Sequence, residues 1–161
     1  MNNFLVLSRG LLKLTNDLFE FLITYCEAFQ EKIPDLSKKK IRNSLHFLKN
    51  KAKTLEDIYK NSKFLINDNV KIERDDKKLL DETAIKIIKL FIDDINKLSD
   101  FTRETLEPII NDLIKNNNTK FKGVGQPLRI CLTGSKFGPG IYDILSALGK
   151  EEVSKRLSQI R

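Results

Sequence analysis

The sequence contains one histidine, two cysteines and four prolines among its 161 residues. Cys26 and Cys131 lie far apart and lack metal-ligand spacing, so we do not expect a zinc site. Two buried free thiols in a reducing compartment fit better, which predicts a cytoplasmic location. No run of about 18 apolar residues is present, so no membrane span is expected. The apolar opening, residues 1–7, is too short for a signal sequence.

Recognisable catalytic patterns are also scarce. The chain has no glycine-rich phosphate loop, so no nucleotide cradle is expected. His46 lies among lysines on a predicted helix and is interpreted as a surface histidine, with a catalytic base or metal ligand as the alternative. Asp75–Asp76 and Asp93–Asp94 are adjacent carboxylates, which point about 100° apart on a helix. We therefore interpret both pairs as solvated charge and not as acid/base dyads.

Apolar residues recur every three or four positions through most of the chain, which predicts an all-α protein. Pro34 ends the first helix, and Ser37 caps a second, whose apolar stripe reaches Leu55 and whose basic residues reach Lys60. Thr102 caps the fourth helix, which Pro108 is expected to bend or to delay. Residues 61–76 are polar and irregular, with Phe64, Leu65 and Ile66 as an anchor. The predicted inward positions are Leu14, Leu18, Leu22, Tyr25 and Phe29, then Ile41, Leu45, Leu48, Ala52 and Leu55, then Leu80, Ala84, Ile87, Phe91, Ile95 and Leu98, then Leu106, Ile109, Ile110, Leu113 and Ile114.

Glycines and prolines organise the C-terminal part. Residues 116–127 are expected to be a connection between two domains, a helical bundle at 1–118 and a compact helical subdomain at 119–161. A short helix at 128–133 should end at Gly134, since glycine adopts the left-handed conformation easily. Pro139 should open the next helix and Gly149 should close it. A last helix is predicted at 150–160, with Val153, Leu157 and Ile160 inward.

The formal net charge of +7 is concentrated near the C-terminus, where residues 120–161 carry +5. A basic surface permits a polyanionic partner, although lysine-rich composition alone can produce it. On the predicted second helix, basic residues recur at spacings of four and seven and fall within a strip about 60° wide. Such a strip is suited to a phosphate backbone, with an ordinary solvated face as the alternative. Its members are Lys38, Arg42, Lys49, Lys53 and Lys60.

Arg129 is the main candidate for ligand recognition, because a guanidinium offers a planar donor fork to a base edge. The alternative is a structural arginine that satisfies the carbonyls of a neighbouring helix end. The turn around Gly138 and Pro139 lets a ligand approach the main chain, or is a plain connection between helices. Ile141 is either core or an apolar shelf for a base. Tyr142 is either a stacking surface or half-buried.

The C-terminal motifs occur in a specific order: Pro127-Leu128-Arg129, Leu132-Thr133-Gly134, Pro139 in a turn, and Leu148-Gly149-Lys150-Glu151. This run closely resembles the end of bacterial-type glutamyl-tRNA synthetases, which are class I aminoacyl-tRNA synthetases. Weaker matches lie at residues 51–55 and 100–104, in family order. The synthetase signatures that bind ATP are absent. The resemblance implies the anticodon-binding part of a glutamate–tRNA ligase, without its catalytic domain.

The resemblance implies a helical cage around the anticodon loop of tRNA(Glu), with tRNA(Gln) as an alternative ligand. Arg129 would contact an anticodon base, and Gly138, Pro139 and Ile141 would line the pocket. Some members have threonine or serine at Gly138, and many have arginine at Lys51, where lysine is not an equivalent donor. Relaxed discrimination of the last anticodon base is therefore a hypothesis. The further RNA-binding candidates are Lys38, Arg42, Lys49, Lys51, Lys53 and Lys136.

The expected fragment is a monomeric binding module with no catalytic residue, cofactor or metal of its own. The parent enzyme would use ATP and magnesium. Two alternatives stay open: a helical protein-interaction domain with a basic surface and no specific RNA readout, and a small enzyme that uses His46 or a carboxylate. An organellar member of the same family is a third reading.

Overall fold

The first of two compact units ends at Asp68, and its described residues, from Thr15 onward, form three helices. The computed structural model describes residues 15–160; residues 1–7, Leu14 and Arg161, which figure in the sequence predictions, lie outside this range. Helices α1 (Thr15–Phe29), α2 (Asp35–Leu48) and α3 (Leu55–Ile66) each contact the other two. Their shared core contains Leu18, Leu22, Cys26, Ile33, Ile41, Leu45, Leu48 and Ile58. Phe29 was predicted to face inward, but it is 75% exposed at the end of α1.

The predicted second helix is in fact two helices. Helix α2 begins at Asp35, directly after Pro34, so Ser37 is buried within its first turn and is not the cap. The chain then turns through Lys51, whose φ of 64° is left-handed. Thr54 starts α3 with a reciprocal capping box, in which Asp57 Oδ2 accepts from Thr54 N at 3.0 Å and Thr54 Oγ1 accepts from Asp57 N at 3.1 Å. The sequence signal was Thr-x-x-Asp, a known helix start.

The second unit begins at Asn69 and holds the remaining helices of the described chain. They are α4 (Arg74–Lys77), α5 (Glu82–Asn96), α6 (Arg103–Asn116), α7 (Phe121–Thr133), α8 (Ile141–Leu148) and α9 (Lys150–Ser158). Helix α5 packs against α6, α7 and α9, and α8 packs against α7 and α9. The core includes Ile87, Phe91, Ile95, Leu106, Ile110, Leu128, Leu132, Ile144 and Leu157. Residues 15–160 contain no β-strand, which confirms the all-α prediction.

Helix α7 is longer than predicted, and this moves the division of the chain. It starts at Phe121 and includes Gly123, Gly125 and Pro127, which had been interpreted as a connection. A Cβ on Gly125 would lie 3.3 Å from the Phe121 ring and 3.7 Å from Ile141 Cγ2, so the glycine permits close packing onto α8. Because α6 and α7 contact each other and both contact α5, residues 69–161 form one unit, whereas the sequence placed the division at 118/119.

The later helix start that was one of the two expectations for Pro108 is excluded, and Pro139 lies outside the helix that it was predicted to open. Helix α6 starts at Arg103, after the Thr102 cap, and runs through Pro108 without a delayed start. Helix α8 starts at Ile141 with Gly140 as its cap, so Pro139 precedes the helix and does not open it. Gly134 and Gly149 end their helices as predicted, with φ of 85° and 78°. Helix α3 continues to Ile66, and α9 ends at Ser158, two residues before the predicted end.

Candidate nucleic-acid interface

The connection between α7 and α8, residues 134–140, is hereafter the 134–140 loop. It opens with a tight turn at Gly134, whose N–H donates to Ile130 O at 2.8 Å and whose φ of 85° suits glycine. A Cβ there would lie 2.5 Å from Lys71 O and 3.0 Å from Val70 Cγ1. The carbonyl of Gly134 accepts from Glu73 N at 3.1 Å. Only glycine therefore fits the point where this loop meets residues 70–73.

Arg129 holds the far side of the same loop from within α7. Its Nε donates to Pro139 O at 3.0 Å, and its Nη1 donates to Lys136 O at 3.2 Å. Partial burial lowers the pKa of the guanidinium from its ordinary value. Within residues 15–160 these are the hydrogen bonds of this side chain, which use two of its five N–H groups and leave one on Nη1 and both on Nη2. The structural alternative for Arg129 is thus present, while its contact with a base stays a prediction.

Asp76 is a third support of the loop and was not expected from the sequence. Its carboxylate is buried, with the side chain 3% exposed, and it faces Lys136. Oδ2 accepts from Lys136 N at 2.7 Å, and Oδ1 lies 3.2 Å from Lys136 Nζ. The backbone N–H of Lys136, and then its ammonium group, hold the pKa of Asp76 below its ordinary value. The interpretation of Asp76 as solvated charge was wrong, whereas Asp75 is exposed as predicted.

Between these supports the loop presents Phe137 and Gly138 to solvent. Phe137 is 75% exposed, and Lys136 Nζ lies 5.3 Å from its ring centroid. Gly138 has a φ of 134°, and among the described residues no atom lies within 4 Å of the position a Cβ would take. The main chain at Gly138 is therefore exposed, and its contact with a ligand stays a prediction. A side chain there would be strained by that backbone conformation.

Ile141 is a core residue and not an exposed apolar shelf, because only 2% of it is exposed. Its side chain is therefore not available to a ligand. The first N–H groups of α8, which begins at Ile141, have no side-chain cap because the N-cap residue is Gly140. Tyr142 is half-buried, and the Arg103 guanidinium lies 4.8 Å from its ring centroid. The Phe121 ring lies 6.1 Å from the same tyrosine ring. Burial raises the pKa of the Tyr142 hydroxyl.

The predicted basic strip does not exist as one helical face, because α2 ends at Leu48. Lys38 Nζ lies 3.0 Å from Glu27 Oε1, and Arg42 Nη2 lies 3.0 Å from Glu20 Oε1. Lys60 pairs with Glu56 on the separate helix α3. Lys49 is the C-cap of α2, while Lys51 and Lys53 are exposed in the turn before α3. RNA binding by these residues stays a prediction, but they do not lie on the single helical face that was expected.

Several C-terminal cations also have structural partners. Lys150 Nζ donates to Leu98 O at 2.7 Å and to Asn96 O at 3.2 Å, at the end of α5. Arg156 is 4% exposed, and it donates from Nε to Glu152 at 2.7 Å and from Nη1 to Leu132 O at 2.9 Å. Some of the positively charged side chains of residues 120–161 are therefore hydrogen-bonded within the second unit.

The remaining residues that the sequence singled out as candidates for catalysis or metal binding are either exposed on the surface or buried in the core. His46 is exposed, and its Nδ1 lies 3.1 Å from Asn43 O. Cys26 and Cys131 are buried free thiols, as predicted, and burial raises their pKa to about 11 and about 12. No cluster of three or more metal-ligating side chains occurs among the described residues. No helix in the same part of the chain is long and apolar enough to cross a membrane.

Known proteins match this chain over most of its length. A family model described as an anticodon binding domain matches residues 13–161. The chain is 57% identical to a glutamate–tRNA ligase of Pelagibacter ubique over 142 residues, which cover 88% of this chain and 30% of the relative. It is 29% identical over 154 residues to a glutamate–tRNA ligase of Thermodesulfovibrio yellowstonii, covering 92% of this chain and 33% of that one.

A solved structure of a glutamate tRNA ligase from Elizabethkingia meningosepticum, in complex with its amino acid, shares the fold with a TM-score of 0.74. The two chains are 22% identical, and the match covers 93% of this chain and 30% of that one. This chain therefore spans about a third of the length of the relatives it matches.

Proposed function

Because the chain belongs to the family of anticodon binding domains, we propose that it binds the anticodon loop of tRNA(Glu) as the tRNA-binding part of a glutamate–tRNA ligase. The family match over residues 13–161 carries the proposal, and the 57% identical ligase supports the choice of amino acid. The parent would add a catalytic domain that uses ATP and magnesium. In this proposal the chain itself positions tRNA and performs no chemistry.

The 134–140 loop is the part of the second unit best suited to reading unstacked bases. A loop held at several points presents its remaining donors and acceptors in a fixed arrangement, which reduces the entropy lost on binding. Arg129 would have two roles, because one N–H of Nε and one of Nη1 hold the loop, while the remaining N–H groups of Nη1 and Nη2 would donate to a base edge. The open main chain at Gly138 would approach the same nucleotide.

The test compares binding of the 161-residue chain to tRNA(Glu) and to the same tRNA with a scrambled anticodon, at low and moderate salt. We expect the native anticodon to bind more tightly, and Arg129→Ala to abolish that preference. Since Arg129 also holds the loop, Arg129→Lys is measured beside it, because lysine keeps the charge but not the donor fork. Arg74→Ala, at an exposed position of α4 and outside the RNA-binding candidates, is the matched control for loss of an arginine.

Equal and salt-sensitive binding of both RNAs would contradict the proposal, because phosphate contacts alone carry no sequence information. That outcome would favour the alternative, a helical protein-interaction domain with a basic surface. The names of the relatives do not favour this alternative. A cytoplasmic, monomeric enzyme with tRNA(Gln) as a second ligand is part of the proposal, and the same assay with tRNA(Gln) tests the ligand.

A further inference from the structure

We propose that Phe137, at the tip of the 134–140 loop, is a stacking platform for one unpaired base of the bound RNA. The inference rests on the proposed function and adds to it a residue that the carried-over anticodon positions do not include. It assigns Phe137 to affinity and to base positioning, not to the identity of the base.

The exposure of Phe137 is the first observation. Burial of a phenylalanine side chain stabilises a folded protein, so a ring that is 75% exposed forgoes most of that stabilisation. Phe29 is equally exposed, but it ends a helix of the first unit and its ring centroid lies 5.5 Å from that of Tyr25. Phe137 has a cationic neighbour instead, since Lys136 Nζ lies 5.3 Å from its ring centroid.

The backbone on both sides of Phe137 is held in place. Asp76 binds the N–H of Lys136 at 2.7 Å, and Arg129 binds the carbonyls of Lys136 and Pro139 at 3.2 and 3.0 Å. Phe137 N itself donates to Ser135 Oγ at 3.1 Å. The backbone that carries the ring is thus fixed before the ligand arrives, so stacking has only the two side-chain torsions of Phe137 to order.

The surroundings of the ring leave room for a base. Gly138, the next residue, has open space where a Cβ would stand, so no side chain of its own limits approach from that side. Lys136 lies over one face of the ring, and its charge is paired with the buried Asp76. A base would therefore stack on the opposite face. Such stacking accepts any base, because every base has a π-face.

The experiment measures binding of an anticodon stem-loop of tRNA(Glu) to the 161-residue chain and to its Phe137→Ala, Phe137→Tyr and Phe29→Ala variants. Loss of one base–aromatic stack weakens binding about five- to a hundredfold, so we expect Phe137→Ala to fall in this range. Phe137→Tyr keeps the ring and should bind like the native chain. Phe29→Ala removes an equally exposed phenylalanine and should have no effect.

A second series locates the base. Stem-loops carrying an abasic nucleotide at each anticodon position in turn are measured with the native chain and with Phe137→Ala. At one anticodon position the loss of affinity caused by the abasic nucleotide and the loss caused by Phe137→Ala should not add, because either change alone already removes the stack. Full additivity at all positions, or native affinity of Phe137→Ala, overturns the inference. If Phe137→Ala binds with native affinity while the native chain prefers the native anticodon, only the inference about Phe137 is overturned. If the native chain has no such preference, the proposed function is overturned as well.

Discussion

Asp76 and Lys136 are joined at two points: the Asp76 carboxylate accepts the backbone N–H of Lys136 at 2.7 Å and lies 3.2 Å from its Nζ. One buried acid thus holds both the main chain and the ammonium group of a loop residue 60 positions later. The contact lies at the base of the segment that exposes Phe137. Asp76 is therefore a support of the candidate interface that would not itself touch RNA.

Removal of this support should destabilise the second unit. Asp76→Ala leaves the N–H of Lys136 without its partner, and we expect a loss of about 2 kcal/mol in the free energy of unfolding. The control is Asp75→Ala, since Asp75 is 80% exposed and its pair with Lys78 contributes about 1 kcal/mol or less. Urea unfolding measures both losses, and amide hydrogen exchange reports on Lys136 directly. Equal losses in the two variants would contradict this role.

The contribution of Asp76 should depend on pH. Its folded-state pKa is lowered, first by the Lys136 backbone N–H. The carboxylate therefore stabilises the folded state above its unfolded pKa of about 3.9, and this stabilisation is lost as the pH falls through the lower folded pKa. The difference in unfolding free energy between the native chain and Asp76→Asn should be constant at neutral pH and shrink below about pH 4. A difference that grows on acidification would refute the assignment.

Gly134 should tolerate substitution less than Gly138. At Gly134 an alanine meets the Lys71 carbonyl at 2.5 Å in addition to the left-handed φ of 85°, so we expect a loss of about 2 kcal/mol or more. Gly138→Ala has the backbone strain without the collision and should cost less in thermal stability. Thermal unfolding followed by circular dichroism compares the two. A larger loss for Gly138→Ala would show that the backbone strain outweighs the close approach.

Lys51 carries the hypothesis of relaxed anticodon discrimination, which derives from the family resemblance. Lysine lacks the donor fork of arginine, so the chain should bind tRNA(Glu) and tRNA(Gln) with similar affinity. Lys51→Arg should raise the preference for tRNA(Glu), while Lys39→Arg, at an exposed position of α2 outside the RNA-binding candidates, should not. Competition binding of the two tRNAs measures the ratio. A preference of about a hundredfold in the native chain would contradict the hypothesis.

The buried faces of the helices and the helix ends at glycine could be predicted from the sequence, because they depend on local geometry. Leu18, Leu22, Ile87 and Phe91 are buried at the predicted helical spacing, and Gly134 and Gly149 end their helices where a left-handed residue was required. The errors arose where a local preference competed with packing. Gly123, Gly125 and Pro127 are poor helix formers, yet the buried faces of Val124 and Leu128 keep them in α7.

The sequence by itself determined the all-α class, the helix ends at glycine and the family to which the chain belongs, because motif order and periodicity are properties of the chain. Tertiary structure alone decided the role of Asp76, since its partner Lys136 lies far away in sequence and gives no local signal. It also decided that Arg129 holds loop carbonyls and that Ile141 is core. Long-range contacts determine which polar groups are buried and satisfied, and these contacts leave Phe137 and Gly138 exposed to solvent.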